Sequence, residues 1–465
     1  MSIFNGTAKN DNIVGAATGY EIYDLERNDR LVADSESDIV DFDEGYNFLL
    51  GQGGEALISI DIGDETNVGY AEIPENQQYE SRFANMWNIE SEAVIEEPAL
   101  NLIMGTPEVD IINGTDQNDL IYALESDDII NGGAGNDTLY GDDGDDTING
   151  GDGDDTMIGG LGADTFDGGD GIDTVDYSDA TMIGDSVGVY IHLGGATKTS
   201  YSPESNGDIL SNVERVIGSD YNDTIYGTNA TNDTIYGGDG GDSINAGGGY
   251  DTIYGGDGGD VINAGDGDDI VNAGAGNDIV YGKGGADTMD GGDGNDLLRY
   301  DESDAAINVN LATNTASGGY ATGDVISNFE SVIGSAYNDT LTGNDGNNYI
   351  QGRIGADTLT GGGGNDIFGY INASPQNHSI SSAYDTIADF TQGEDIMLFE
   401  GSVFGTDWTA FSFDTSSGTE TVITHATLSN RSGWNDFELH LDGVHNLVAS
   451  DFTFVADFNA VIDLM

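Results

Sequence analysis

GGAGNDTLY GDDGDDTIN GGDGDDTMI, residues 132–158, is one nine-residue phrase written three times. Each copy opens with six residues of Gly, Asp, Asn and Ala, mostly types that accept turn and left-handed backbone. Three residues follow that carry one large inward-facing apolar side chain, Leu139, Ile148 or Met157. That much glycine excludes a helix, and a coil needs no period. The phrase reads as a turn of six and a strand of three, with the eighth residue inward and its neighbours outward. One such strand cannot bury its apolar residue alone, so successive strands must stack. The fold class is therefore all-β, a parallel β-roll (β-helix) solenoid with two nonapeptides per coil and a thin ladder of Ile, Val, Leu and Met between two sheets.

Stepping outward by nines, the phrase runs from Gly105 to Asp176, with sixth-position carboxylates at Asp110, Asp119, Asp128, Asp137, Asp146, Asp155, Asp164 and Asp173. A second array, Gly218 to Arg299, absorbs one extra residue in GTNATNDTIY and carries Asp223, Asp233, Asp242, Asp251, Asp260, Asp269, Asp278, Asp287 and Asp296. A third, from Gly334, carries Asp339, Asp357 and Asp366, with Asn348 in one Asp place. With two repeats per coil, carboxylates eighteen apart stack on one edge, Asp137 with Asp155 and Asp173, and Asp146 with Asp164.

The chain has 86 acidic against 10 basic residues, a formal charge of −76, which repels nucleic acid and anionic membrane surfaces. Stacking carboxylates one strand spacing apart, about 4.8 Å, is costly unless a cation lies between them. Asp oxygens from successive turns, with carbonyls that the glycines turn inward, supply the roughly six to eight hard oxygens that Ca²⁺ prefers; Mg²⁺ demands stricter octahedral geometry. With no Cys and five His, zinc and copper do not suit these positions. Several calcium ions are the expected cofactor, and folding is expected to depend on them because the core is narrow.

These nonapeptides resemble the G-G-x-G-x-D-x-U-x repeat of RTX proteins, the hemolysin-type calcium-binding family, whose repeats form parallel β-rolls. Between the arrays lie two copies of one insert: VGVYIHL at Val187 aligns with AINVNL at Ala306, and GDILSNVERVIGSDYND with GDVISNFESVIGSAYND. Such inserts are common in RTX chains. Each follows an aromatic residue, Tyr177 or Tyr300, and reads as strands joining one roll segment to the next. Residues 371–465 are more aromatic and resemble the C-terminal region of serralysin-type proteins. The resemblance implies a β cap and an uncleaved C-terminal signal for type I export, hence a secreted, extracellular or cell-surface location. The start, MSIFNGTAKNDNIVG, lacks a basic region followed by an apolar one, and an ordinary cleaved signal peptide is not expected.

Before Gly105, Ile13, Ile22, Leu31, Val40, Leu49 and Ile58 also recur every nine residues, the pattern of a degenerate roll over residues 1–66 in which Asp11 and Asp29 are candidate calcium ligands beside Asn47. Residues 67–104 are a non-repeat segment in which Tyr79, Phe83 and Trp87 share the face of a possible short helix. The expected divisions are then roll 105–176, insert 177–217, roll 218–299, insert 300–333, roll 334–370 and cap 371–465.

No catalytic constellation is found. HExxH is absent. GDSVG at Gly184 fits the nucleophile-elbow spelling around Ser186, but it sits in a polar loop without a following helix, and the other insert has no matching Ser. His440 and His445, in an expected hairpin, make only a weak metal pair. No run of about 18 apolar residues could span a membrane. The expectation is a non-catalytic calcium-binding component of a surface layer, biofilm matrix or filament, with self-association into filaments or sheets, or polysaccharide or lipopolysaccharide, as partners. The alternative is a carbohydrate-active enzyme or saccharide-binding accessory using a groove or the aromatic residues Tyr370, Trp408 and Trp434.

Overall fold

The computed structural model describes residues 101–180, 188–194, 207–370, 384–400, 411–415, 417–425, 438–443 and 445–455, with the backbone of six strands between Ser2 and Gly51. From Gly105 onward the repeat dictates the architecture. Strands pair in parallel eighteen residues apart: Leu139 lies beside Met157 and Met157 beside Val175 on one face, Ile130 beside Ile148 and Ile148 beside Phe166 on the other. In Thr147–Asp152 the residue before and the residue after Ile148 are partly exposed while Ile148 is fully buried, as alternation requires. The eighth positions from Ile121 to Val175 are all 0 % exposed, so each coil contributes two side chains to a core one residue thick.

The inserts join the arrays by becoming coils themselves. Ile209–Ser211 pairs with Thr165–Asp170, and Arg215–Ile217 lies between Thr174–Asp176 of the first array and Thr234–Asp239 of the second. One face is therefore continuous through the first insert, while the opposite face ends at Ile209–Ser211 and restarts at Tyr190–His192, which pairs with Thr224–Tyr226. At the second insert the roles exchange. Ser331–Ile333 carries the second face from Leu297–Arg299 to Tyr349–Gln351, whereas the first face restarts at Asn308–Asn310 beside Thr340–Thr342. Because the two faces are never interrupted at the same coil, the stack passes through both inserts.

Beyond the third array, Ile396–Glu400 and Phe452–Val455 extend one face in parallel. Phe411–Asp414, Glu420–His425 and Glu438–Asp442 pair antiparallel, and Phe411 packs on Phe399 and Phe452.

The N-terminal strands form their own unit. Phe4 pairs with Ile22 and Ile22 with Val40; Ile13 pairs with Leu31 and Leu31 with Leu49. The nine-residue ladder read there is thus present in the backbone register. Asp11, Asp29, Ile58 and the Tyr79 to Trp87 segment lie outside the described residues. Among the described residues, no helix is long and apolar enough to cross a membrane.

Candidate metal sites along the edges of the roll

Each six-residue turn brings its sixth-position Asp under the backbone of the coil before it. The N–H of Asp128 donates to Asp146 Oδ1 (2.7 Å), that of Asp146 to Asp164 (2.9 Å), that of Asp137 to Asp155 (2.8 Å) and that of Asp155 to Asp173 (2.9 Å). The second array repeats this from Asp233 through Asp251 and Asp269 to Asp287, and from Asp223 through Asp242, Asp260 and Asp278 to Asp296. In the third, the N–H of Asp339 donates to Asp357 and that of Asn348 to Asp366, while the side-chain amide of Asn348 donates to the carbonyl of Glu330 in the coil before. Asp119 and all these Asp residues are buried; Asp110, which donates to Asp128, is partly exposed.

Oδ1 is thus satisfied by the fold, and Oδ2 is not. Among the described residues, the buried Oδ2 atoms of Asp128, Asp146, Asp155, Asp164, Asp173, Asp242, Asp251, Asp260, Asp269, Asp278, Asp287, Asp296 and Asp357 have no hydrogen-bond partner. An isolated buried carboxylate oxygen is costly enough that so many in register call for a counter-charge. The glycine that opens the turn shows where Oδ2 points. A methyl group on Gly150 would lie 2.4 Å from Asp155 Oδ2 and 2.6 Å from the carbonyl oxygen of Gly168, one coil on. Gly153 has φ +140°, and a methyl there would meet the Gly135 carbonyl at 1.9 Å. Any side chain at these two places would fill the gap in which the oxygens converge.

Not every turn is built this way. Where Ser or Thr follows the opening Gly, the turn closes on its own carboxylate: the N–H of Thr106 donates to Asp110 Oδ2 (2.6 Å), and those of Ser219, Thr228 and Ser335 to Asp223, Asp233 and Asp339 (each 2.6 Å). In these four, Oδ2 already holds a proton donor.

Six further acidic residues continue the ladder outside the nonapeptides. Asp208 and Glu214 accept from the N–H groups of Asp164 and Asp173, Asp324 and Glu330 from those of Asp287 and Asp296, and Asp385 and Asp395 from those of Asp357 and Asp366. The first four are the aligned acids of GDILSNVE and GDVISNFE, a signal the duplication carried without revealing its purpose.

Burial above all pushes the ladder carboxyls up, to about 6 in Asp146 and Asp173, about 7 in Asp155, Asp251, Asp260 and Asp296, and about 8 in Asp164, Asp242 and Asp287. Hydrogen bonds from the preceding coil oppose this rise, and neighbouring carboxylates add to it. Among the described residues, no three His, Asp or Glu side chains converge as a ready-made metal cluster. The donors are instead carboxylate and carbonyl oxygens from successive coils, a hard-oxygen set that fits Ca²⁺ and offers nothing to a soft metal. His440 bonds Glu420 and His445 the carbonyl of Asp442, each separately; Ser186 lies outside the described residues.

The family model of the RTX calcium-binding nonapeptide repeat, four copies long, matches residues 104–139, 140–175, 211–240, 228–262, 263–298 and 333–368. The chain carries RTX calcium-binding nonapeptide repeats. Its matches cover all three arrays, and RTX repeats bind calcium. Comparison with curated proteins gives no match. The likeness therefore identifies the repeat and, with it, the ion; the number of ions is a property of the turns.

A direct consequence concerns Asp155, whose carboxylate faces the coils on both sides. Asp155→Ala is expected to lower the calcium stoichiometry by one to two ions and to leave the Asp137 N–H unsatisfied, costing about 1–3 kcal/mol. Isothermal titration calorimetry checks this, and an unchanged stoichiometry removes the idea that one carboxylate serves two gaps.

Proposed function

We propose that this protein is a secreted, non-catalytic structural component of a surface layer, biofilm matrix or filament, exported by a type I route with an uncleaved C-terminal signal and folded by calcium outside the cell. One observation carries the reading: buried, partnerless carboxylate oxygens recur along the edges of a stack that passes through both inserts, so most of the described chain is given to ion-clamped coils. A cytosol poor in calcium would leave such a chain unfolded for export, and an exterior rich in calcium would fold it. Self-association into filaments or sheets suits a chain of repeated coils, with polysaccharide or lipopolysaccharide as the other partner class.

In the saccharide-directed alternative, Tyr370 belonged to the aromatic binding set; it is 1 % exposed and stacks on Phe399 inside the cap. Electron microscopy of the purified protein with and without millimolar calcium tests the structural role. Ordered filaments or sheets are expected with calcium and dispersed chains without it; dispersed monomers under both conditions would overturn it.

A further inference from the structure

The first two arrays each end against an insert, and the two edges of the last coil are closed in different ways. At one edge the insert presents a three-residue turn in place of the six-residue one: Asn212-Val213-Glu214 between Ile209–Ser211 and Arg215–Ile217, and Asn328-Phe329-Glu330 between Val325–Ser327 and Ser331–Ile333. Asn212 and Asn328 take left-handed backbone (φ 51° and 53°), which asparagine tolerates better than most residues. Their side-chain amides are fixed to Asp167 and Asp290 of the coil before.

That conformation sets the Asn carbonyl where a repeat turn would set its glycine carbonyl. A methyl on Gly168 would lie 2.0 Å from the carbonyl oxygen of Asn212 and 2.5 Å from Asp173 Oδ2; on Gly291 it would lie 2.2 Å from that of Asn328 and 3.0 Å from Asp296 Oδ2. Asp173 and Asp296 are both 0 % exposed, and their Oδ2 atoms have no partner among the described residues. Glu214 Oε2 and Glu330 Oε2 take the N–H groups of Asp173 (3.1 Å) and Asp296 (3.0 Å), the place of the next Asp in a repeat. The oxygens of a repeat edge are thus reproduced by a different sequence, twice.

The other edge keeps only part of that set. Asp208 Oδ2 and Asp324 Oδ2 accept the buried hydroxyls of Tyr177 and Tyr300, each at 2.7 Å. Gly159 and Gly282 still face the Oδ2 of Asp164 and of Asp287, but in place of the second coil's carbonyl stand the ring of Phe166 (2.7 Å) and the thioether of Met289 (3.0 Å), which add no oxygen for a hard cation.

We propose that each insert completes one calcium site, from Asp173, the Asn212 carbonyl and Glu214 in the first and from Asp296, the Asn328 carbonyl and Glu330 in the second, and closes the opposite edge with tyrosine instead of metal. The inserts are then fastened to the arrays by ions of their own. The inference rests on calcium occupying the repeat edges.

The test is calcium stoichiometry of the full chain, by calorimetric titration from the chelated state. Glu214→Gln and Glu330→Gln keep the hydrogen-bond acceptor and remove the charge; each is expected to lose one ion, and the double variant two. Asp208→Asn and Asp324→Asn, at the tyrosine-closed edges, are expected to lose none. Asn212→Gly keeps the carbonyl and the left-handed turn and is expected to keep the full count. Should Glu214→Gln fail to fold, Glu214→Asp reads the same site as weakened affinity for one ion. An unchanged count in both Gln variants, alongside a lowered count in Asp155→Ala, overturns the insert sites alone. A wild-type chain that takes up no calcium overturns the occupancy reading, and this inference with it.

Discussion

Excess chelator at moderate salt is expected to abolish most of the far-ultraviolet β signal, and millimolar calcium is expected to restore it while the same concentration of magnesium does not. The core is one side chain thick, two apolar residues per coil, so hydrophobic burial per residue is modest. Against it stand the self-repulsion of a chain of formal charge −76 and the partnerless oxygens along the edges. Ligand binding to the folded state alone stabilises by about 4 kcal/mol per site when the free ligand exceeds its dissociation constant about 1,000-fold. Three such sites would together match the whole stability of an ordinary domain, about 5–15 kcal/mol. Removing the ions should therefore unfold the roll rather than loosen it. Circular dichroism with amide hydrogen exchange checks this, and a spectrum unchanged in chelator would sink the coupling of folding to calcium.

The tyrosine-closed edges and the self-closing turns define what persists longest as calcium falls. Asp110, Asp223, Asp233 and Asp339 hold backbone N–H donors on Oδ2 within their own loops, and Asp208 and Asp324 hold tyrosine hydroxyls. Such turns open or close an array, and the ion-dependent ones lie between them. The uneven distribution gives each array an opening turn that holds its shape by hydrogen bonds, and gives the first two arrays a closing edge of the same kind opposite the edge that ends on Asp173 or Asp296.

The roll was legible because each of the nine positions has its own chemistry. Glycine where a side chain would strike an oxygen, Asp at the sixth place and Ile, Leu, Val or Met at the eighth fix the turn, the edge and the core, and the eighteen-residue register follows from two turns per coil. The same period, with Asp at three of its five sixth positions, sufficed for the strands from Ser2 to Gly51. What escaped were the places where the ladder continues at another spacing. Asp208 and Glu214 lie 44 and 41 residues after the Asp residues they serve, and Asp324 and Glu330 lie 37 and 34 after theirs, because each insert adds residues before the ladder resumes and then replaces a six-residue turn with a three-residue one. A search in steps of nine does not reach them. The paired acids of GDILSNVE and GDVISNFE, six apart in both copies, were the available trace. The difference between turns was likewise written in the second letter, Gly-Gly against Gly-Ser or Gly-Thr, but only the hydrogen bonds show that the hydroxyl-bearing residue brings its N–H onto Oδ2.

Acidifying the calcium-free protein from pH 8 to pH 5 is expected to restore part of the β signal that chelation removes, the reverse of ordinary acid denaturation. The ladder carboxyls titrate near 3.8 when unfolded and are pushed up, chiefly by burial, to about 7 in Asp155 and about 8 in Asp164, Asp242 and Asp287. A carboxyl whose folded pKa is raised binds more protons folded than unfolded, so the fold gains stability as pH falls through about 8 toward 3.8 and loses it as pH rises through the same window. Each tenfold gain in proton affinity on folding corresponds to about 1.4 kcal/mol, and many carboxyls share the effect. The proton does for a single Oδ2 what the cation does for a pair. The two compete: below pH 7 the apparent calcium affinity should fall about tenfold per pH unit for each proton displaced. Circular dichroism of the chelated chain against pH, paired with calcium titrations at pH 7.5 and pH 6, checks both parts. A β signal that fails to rise on acidification, or a calcium affinity indifferent to pH across this range, would show that the edge carboxylates are not the groups that hold the coils together.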